Sequence, residues 1–265
     1  MNPQPAALEV KDLTVGYKRE SIVAGIDIQL EPGKMLALVG VNGSGKSTLL
    51  KTIAGLLPAL DGSIKVLGAV PGASPRRVAY LSQFHPAGFM LPLRSIDVVR
   101  MGRYPHVGLF RRLTATDEQA VQEAMDLMDV GPIADTALHL LSGGQRQRVF
   151  LAQLFARGAD LLLVDEPAAG LDAASQETYR RAFQSLCQRG TSVVLATHDI
   201  KEASRCDQAM LLARRVVAYG NGAAVLTPEA LLSTFGIIAR FEGGQVIVVE
   251  REHGHDHKGA TDHHE

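Results

Sequence analysis

Residues 36–56 read LALVGVNGSGKSTLLKTIAGL, and this stretch decides the fold. It begins with the short apolar run 36–39, which is typical of a buried parallel strand. It ends with Leu49, Ile53 and Leu56 at helical spacing, which predicts a helix with one apolar face. The pattern G-x-x-x-x-G-K-S lies between the two, so the sequence predicts a strand, a glycine-rich loop and a helix in succession.

This loop has the residues of a nucleotide phosphate site. Its glycines let successive backbone N–H groups turn toward one point, and the helix N-terminus adds partial positive charge there. Lys46 is expected to reach the β- and γ-phosphates, and Ser47 to place its hydroxyl on Mg²⁺. A glycine-rich turn that only joins strand to helix is the alternative, but it would not need the full spacing. The predicted nucleotide-binding residues of the loop are Gly40, Asn42, Gly43, Ser44, Gly45, Lys46, Ser47 and Thr48.

Composition limits the other possibilities. The chain has 265 residues, of which 46% are hydrophobic and 21% charged, as expected of a globular domain large enough to carry an inserted subdomain. The formal net charge of -1 provides no basic field, so nucleic acid is not a predicted partner. No stretch is apolar for long enough to span a bilayer, and the N-terminus lacks a signal-peptide pattern. We therefore expect a cytoplasmic protein that reaches a membrane only through a partner.

Polar side chains follow three further predicted strands. These strands are residues 78–81, 161–164 and 192–196. Gln83 follows the first, Asp165 and Glu166 end the second, and His198 follows the third. Ligands of open α/β sheets bind at this carboxyl edge, where one acid can hold Mg²⁺ and the next can lie beside a water. A lone glutamine is weak evidence and a lone histidine is more often structural. On position alone, Gln83 is a candidate for contact with Mg²⁺ or the attacking water, and His198 for contact with the γ-phosphate.

The N-terminal part has strand patterning. Residues 8–17 alternate between apolar and polar, with one slip of register near Asp12, which predicts a bulged antiparallel strand. Tyr17 at its end either stacks on a purine ring or is an ordinary strand aromatic.

The middle of the chain is patterned as helices. From Phe84 to Leu140 strand signals are absent, so we predict an inserted helical subdomain over residues 83–145. Thr116 and Gln119 are predicted to form a capping box. Residues 103–112, RYPHVGLFRR, mix aromatic side chains with arginines, which suits either a protein interface or a solvated loop.

Two more stretches bind ligands by prediction. Residues 141–145 read LSGGQ directly before a helical pattern, so Ser142, Gly143, Gly144 and Gln145 present a second anion site that has no lysine. The polar C-terminus carries histidines that either bind Zn²⁺ or Mn²⁺ weakly or are simply solvated. They are His253, His255, His257, His263 and His264.

In this order, the motifs resemble the ATPase subunits of ATP-binding-cassette (ABC) transporters over nearly the whole chain, from about Leu8 to Val249. The LSGGQ stretch matches the family signature unchanged. The resemblance implies an α/β fold with a P-loop NTPase (RecA-like) core, an N-terminal antiparallel β-subdomain and an inserted α-helical subdomain. The ATPase domain is accordingly expected in residues 1–250. Residues 251–265 are polar and rich in histidine, and this composition predicts a disordered tail.

The resemblance also implies roles for single residues. Tyr17 resembles the aromatic that stacks on adenine, and Gln83 resembles the Q-loop glutamine. Asp165 resembles the magnesium ligand, Glu166 the general base and His198 the switch histidine. Residues 169–172, AGLD, resemble the D-loop, although relatives often have serine where this chain has alanine.

The partners are implied by the family. Two copies are expected to pack head to tail, with residues 142–145 of one over the phosphates held by Lys46 of the other. An integral membrane permease and, indirectly, an extracytoplasmic substrate-binding protein complete such a transporter, with this subunit on the cytoplasmic face. Residues 97–106 resemble importers for metal ions and for iron chelates. Residues 108–112 and 225–229, together with the histidine-rich C-terminus, favour manganese and zinc importers within that group. A siderophore, haem or cobalamin importer and a soluble scaffold ATPase for iron–sulfur assembly are the alternatives.

Overall fold

The computed structural model describes residues 5–82, 92–108, 111–168, 171–242 and 245–251, with side chains as far as residue 236. Within these ranges the strands are β1 (Leu8–Tyr17), β2 (Glu20–Leu30), β3 (Met35–Val39), β4 (Asp61–Val66), β5 (Val78–Leu81), β6 (Leu161–Asp165), β7 (Ser192–Thr197), β8 (Gln208–Leu212), β9 (Val216–Asn221), β10 (Ile237–Glu242) and β11 (Gln245–Arg251). The helices are α1 (Lys46–Ile53), α2 (Ser95–Met101), α3 (Tyr104–Val107), α4 (Ala115–Leu127), α5 (Gly143–Ala156), α6 (Ala173–Gln188), α7 (Ile200–Ala203) and α8 (Pro228–Phe235).

A mostly parallel sheet forms the core. In the described residues its strand order is β5-β6-β7-β3-β8-β9, and only β9 joins its neighbour antiparallel. Strand β3 lies between β7 and β8, and its last four residues are buried. One buried apolar cluster lies on each face of the sheet, which explains why these strands are apolar on both sides. The carboxyl ends of β3, β6 and β7 therefore meet at one edge.

A second, antiparallel sheet has the order β2-β1-β4 and confirms the predicted N-terminal β-subdomain. Its first strand slips in register where the sequence indicated. Val10 pairs with Ile28 and Leu13 with Ile26, so the slip spans Asp12, whose φ is 46°.

Helices α2 to α4 follow the first strands of the core, and α2 and α4 pack on α5, as predicted for the inserted subdomain. The predicted capping box at Thr116 and Gln119 is wrong. The box that caps α4 is formed by Thr114 and Asp117, two residues earlier in the chain. An aspartate at the third helical position closes such a box as a glutamate does, because its carboxylate reaches the N-cap N–H. Residues 83–91 and 109–110 of the predicted subdomain lie outside the described residues.

Arg103 is largely buried within this subdomain and is not available to a partner, whereas Arg111 and Arg112 of the same segment are exposed. The guanidinium of Arg103 pairs with Asp117 at 2.9 Å and donates to the carbonyl oxygen of Ala156 at 3.0 Å. The two charged side chains are only 15% and 6% exposed. Arg103 therefore joins α4 to the C-terminal end of α5.

Candidate functional site

The loop between β3 and α1 requires its glycines. A Cβ atom on Gly40 would lie 2.2 Å from the carbonyl oxygen of Leu212. Gly45 has φ +109°, and a Cβ there would lie 2.4 Å from a methyl of Val23. Gly43 has φ +79° with open space around it. The loop is thus held tightly on its inner side and open on the outer side, where a ligand can approach the backbone.

Lys46 lies at the bottom of this loop. Its Nζ atom donates to the carbonyl oxygens of Gly40 at 2.7 Å and Val41 at 3.1 Å. Burial lowers the pKa of Lys46, and the charges of Glu166 and Asp165 partly oppose that shift. A largely buried ammonium group favours an anionic ligand, which would offset its cost of desolvation.

A cavity of about 190 Å³ opens beside this ammonium group. The residues that line it are Ile22, Asn42, Gly43, Gly45, Lys46, Ser47, Thr48 and Glu166. The loop residues were predicted, and Glu166 comes from the carboxyl end of β6 as the sheet argument required. Ile22 was missed, because an apolar residue in a strand pattern carries no signal of ligand contact.

Two of the three residues predicted to hold Mg²⁺, Ser47 and Asp165, lie together. The hydroxyl of Ser47 donates to the carboxylate of Asp165, which is buried. Burial raises the pKa of Asp165, while the Ser47 hydrogen bond lowers it. The buried Oγ of Ser44, in the same loop, has no hydrogen-bond partner within the described part of the chain. Mg²⁺ prefers oxygen ligands such as hydroxyl and carboxylate groups, so the pair of Ser47 and Asp165 fits this ion.

Glu166 has a backbone conformation that aims it away from the strand. Its φ is 51°, in the left-handed region, and its N–H donates to the carbonyl oxygen of Ala196 on β7 at 3.0 Å. A non-glycine residue in this backbone conformation is strained, and the conformation is kept only where the surrounding structure holds it. The Nδ1 atom of His198 lies 3.9 Å from Oε1 of Glu166, with the imidazole mostly exposed and the carboxylate 10% exposed. The histidine and the acid, predicted separately, are therefore neighbours.

The LSGGQ stretch begins α5 through a reciprocal capping box. The N–H of Gln145 donates to Oγ of Ser142 at 3.2 Å, and the N–H of Ser142 donates to Oε1 of Gln145 at 2.9 Å. Gln145 therefore orders the helix start, and Gly143, which has open space around it, leaves its backbone accessible. Residues 142–145 are not among those that line the cavity of the loop.

Of the remaining residues predicted to bind ligands, those that the structure describes do not line the cavity of the loop. Tyr17 ends β1 and is 42% exposed, so its ring is available for stacking. Asp172, the last residue of the predicted D-loop, caps α6 by accepting from the N–H of Ser175 at 2.8 Å. Gln83, residues 169–170 and the histidines from His253 onward lie outside the described residues.

The described part of the chain has neither a membrane-spanning helix nor a further metal-binding cluster. None of its helices is long and apolar enough to cross a bilayer. It also holds no group of three histidine, cysteine or acidic side chains placed to bind a metal ion together.

The comparisons with known proteins agree with one another. Residues 23–169 match the family model described as ABC transporter. The chain is 36% identical over 231 residues to the zinc transport system ATP-binding protein TroB of Treponema pallidum (strain Nichols), covering 87% of each chain. It is 35% identical to the manganese transport system ATP-binding protein MntB of Bacillus subtilis (strain 168), covering 86% of this chain and 92% of that protein. Among solved structures, an inward-facing ABC transporter described as of metal-chelate type matches with a TM-score of 0.77 and 27% identity, covering 92% of this chain and 96% of that one.

Proposed function

The chain belongs to the ABC transporter family and is an ATPase, and we propose that it drives the import of a divalent metal ion, zinc or manganese, through a separate membrane permease. The observation that carries the proposal is structural. Lys46, Ser47 and Glu166 line one cavity, and Asp165 is hydrogen-bonded to Ser47 behind it. The choice of metal is supported by the names of the relatives, which are zinc and manganese transport proteins.

The phosphates of ATP are proposed to bind in the loop of residues 40–48. Backbone N–H groups around Gly43 and at the start of α1 supply the donors, and the loop glycines allow close approach. Lys46 carries the only formal positive charge among the residues lining this cavity. When ATP binds, the ammonium group of Lys46 would donate hydrogen bonds to the β- and γ-phosphates in place of the loop carbonyl oxygens. The ring of Tyr17 would stack on the adenine.

Ser47, Asp165 and Gln83 would hold Mg²⁺, which neutralises charge on the phosphates as they react. Asp165 contributes a buried carboxylate, and its hydrogen bond to Ser47 fixes the two oxygens relative to each other.

Glu166 is the proposed general base that orients the attacking water. Its carboxylate lines the same cavity as Lys46, and its left-handed backbone holds it there. His198 would contact the γ-phosphate from the other side of that carboxylate. Catalysis in this arrangement comes from positioning and charge rather than from a covalent intermediate.

A second copy of the chain is proposed to complete each nucleotide site. Ser142, Gly143, Gly144 and Gln145 begin a fourteen-residue helix whose N-terminus favours an anion, yet they line a different region from Lys46. In a head-to-tail pair, the 142–145 surface of one protomer would cover the phosphates on the other. The two-fold axis then makes two equal sites from one interface.

The remaining partners follow from the family. We propose a peripheral location on the cytoplasmic face of the membrane, with the helical insertion of residues 83–145 facing the permease. An extracytoplasmic substrate-binding protein would deliver the metal to that permease. The ATPase domain is proposed to span residues 1–250, with residues 251–265 as an appended tail.

Uptake of a metal chelate is the second candidate. The likeness to the metal-chelate type transporter, with a TM-score of 0.77, favours it. Both candidates use the same ATPase chemistry, and the cargo offered to the assembled transporter distinguishes them.

Hydrolysis with the permease present tests the site assignment. Lys46→Ala should nearly abolish ATP hydrolysis, because the loop loses its point charge on the phosphates. Lys65→Ala, at an exposed position on β4, is the matched control and should hydrolyse ATP as the wild type does. Equal activity of the two variants would contradict the assignment.

A further inference from the structure

A largely buried acid lies beside the loop that carries His198. Glu202 is on the short helix α7, which begins two residues after His198. It is not among the residues that line the nucleotide cavity, so the chemistry described above gives it no role.

The carboxylate of Glu202 is the centre of a hydrogen-bond network. The phenol of Tyr179 on α6 donates to its Oε1 atom. The hydroxyl of Thr197, at the end of β7, also donates to this carboxylate. One acceptor group thus joins a helix to the strand that leads into the histidine.

Thr197 and Asp199 hold the backbone on both sides of His198. The N–H of Asp199 donates to Oγ1 of Thr197 at 3.0 Å. Oδ1 of Asp199 in turn accepts from the N–H of Lys201 at 2.7 Å, which starts α7 and so places Glu202. The network is closed: the turn around His198 positions Glu202, and Glu202 fixes the turn through Thr197.

Tyr179 extends this network to α6. Its ring packs edge-on against Phe183 with ring centres 5.7 Å apart, so the phenol has little freedom. The same helix begins at its cap Asp172, in the stretch that resembles the D-loop. The position of α6 and the position of the histidine loop are therefore coupled through a single carboxylate.

The energetic cost of Glu202 argues against a purely structural role. Burial raises the pKa of Glu202, and its Oε2 atom is buried with no hydrogen-bond partner in the described residues. A leucine could fill this volume without that cost, because replacing buried charged groups by apolar ones is often neutral or stabilising. A buried carboxylate that destabilises the fold and lies near His198 is therefore more readily explained by the need to position that histidine.

We propose that Glu202 is a positioning residue for ATP hydrolysis. With Tyr179 and Thr197 it holds the backbone around His198, and thereby the imidazole, beside Glu166, and it ties this arrangement to α6. The inference rests on the proposed function, since it presumes that His198 assists hydrolysis.

The test is steady-state ATP hydrolysis by the full chain with its permease. Glu202→Ala should lower kcat about 10- to 100-fold with little change in KM, as expected when a catalytic group is misplaced by a fraction of an ångström. Glu202→Gln retains an amide oxygen that accepts both hydrogen bonds and should keep kcat within about threefold of the wild type. Tyr219→Phe removes another half-buried phenol, hydrogen-bonded to Gln29 and Gln208, and is the control with unchanged kcat.

Combining each variant with His198→Ala separates positioning from general damage. If Glu202 acts through His198, Glu202→Ala should reduce the residual activity of His198→Ala no further. Multiplying losses, or a wild-type kcat in Glu202→Ala, would overturn the inference. If Glu202→Ala fails to fold by thermal unfolding, Tyr179→Phe decides in its place by the same two criteria. A wild-type chain without ATPase activity would instead contradict the proposed function.

Discussion

The Nδ1 atom of His198 lies 3.9 Å from Oε1 of Glu166, although the two residues follow different strands of the sheet. Strands β6 and β7 are parallel neighbours, with Asp165 paired to Ala196, so the residues that follow them meet at one edge. The left-handed backbone of Glu166 turns its side chain into the cavity above Lys46. A carboxylate is thereby held in the cavity of a buried cation, with an imidazole next to that carboxylate, which is an arrangement suited to activating water next to a phosphate.

Glu166→Gln separates nucleotide binding from hydrolysis. The variant should bind ATP as tightly as the wild type, because Lys46 and Asp165 are unchanged, but it should hydrolyse ATP at least about 100-fold more slowly. We expect it to accumulate as a dimer in Mg-ATP, which sedimentation velocity measures. Glu229→Gln, on the exposed side of α8, is the control and should hydrolyse normally and remain monomeric. Only monomer for Glu166→Gln at saturating Mg-ATP would count against the head-to-tail pair.

The stability of the helical subdomain should depend on pH through Asp117. Hydrogen bonds from the side chain and backbone of Thr114, together with the Arg103 guanidinium, lower the pKa of Asp117 to about 2. The folded protein then binds this proton less readily than the unfolded chain, whose aspartates titrate near about 3.9. The stabilisation is therefore complete above about pH 4 and is lost as the pH falls toward 2.

Urea unfolding of the wild type and Asp117→Asn checks this dependence. The difference between their free energies of unfolding should be largest at neutral pH and should shrink as the pH falls from about 5 to 2. Thr114→Val removes the side-chain hydrogen bond that lowers the pKa of Asp117 most. The free energy of unfolding of this variant should therefore change less between about pH 5 and 2 than that of the wild type. A difference that is constant over this range would mean that Asp117 is not held as an ion by these groups.

The apolar surface at the end of α2 should bind the permease. Met101, Tyr104, Pro105 and Gly108 line an open groove of about 490 Å³, and the last three belong to the segment of residues 103–112 predicted as an interface. Tyr104→Glu places a charge in this groove and should weaken permease association in a pull-down, with ATP binding unchanged. Leu232→Glu alters an apolar residue that is 40% exposed on α8 and should affect neither. If Tyr104→Glu weakens permease association and ATP binding equally, the interface lies elsewhere.

The histidine-rich tail is predicted to bind metal and slow the ATPase. Truncation after Arg251 removes His253, His255, His257, His263 and His264. The wild type with its permease should lose ATPase activity as zinc or manganese is added, and the truncated chain should not. The inhibition should weaken below about pH 6, where imidazoles protonate. Identical metal titrations of the two chains would leave the tail without this role.

Patterns that repeat along the chain predicted the fold well. The strand and loop of residues 36–48 are present, and so are the strands that deliver Asp165 and His198 to the sheet edge. These predictions succeeded because hydrophobic periodicity and glycine requirements are local properties of the backbone. The helix is present but ends at Ile53, so the prediction that Leu56 belongs to its apolar face is wrong, and Leu56 is 62% exposed. The capping box was predicted two residues too late, at Thr116 rather than Thr114, because several polar residues in this stretch have the right type and spacing to form one.

Contacts between distant segments could not be predicted. Arg103 reads as an interface arginine in its segment, and only the arrival of α4 and α5 makes it the partner of Asp117. Tyr179 and Glu202 likewise meet because α6 and α7 pack on the same side of β7, which no spacing in the sequence encodes. Such residues are found from the fold, since their partners lie far apart along the chain.

Transport by the reconstituted complex tests the central claim most directly. The chain and its permease are placed in vesicles that contain zinc or manganese with the substrate-binding protein, and ATP is added outside, on the face of the ATPase. We predict that ATP releases the metal from the lumen to the side of the ATPase, and that Glu166→Gln abolishes the flux. Movement of metal into the lumen, or no ATP-dependent flux of either ion by a complex that hydrolyses ATP, would contradict the account.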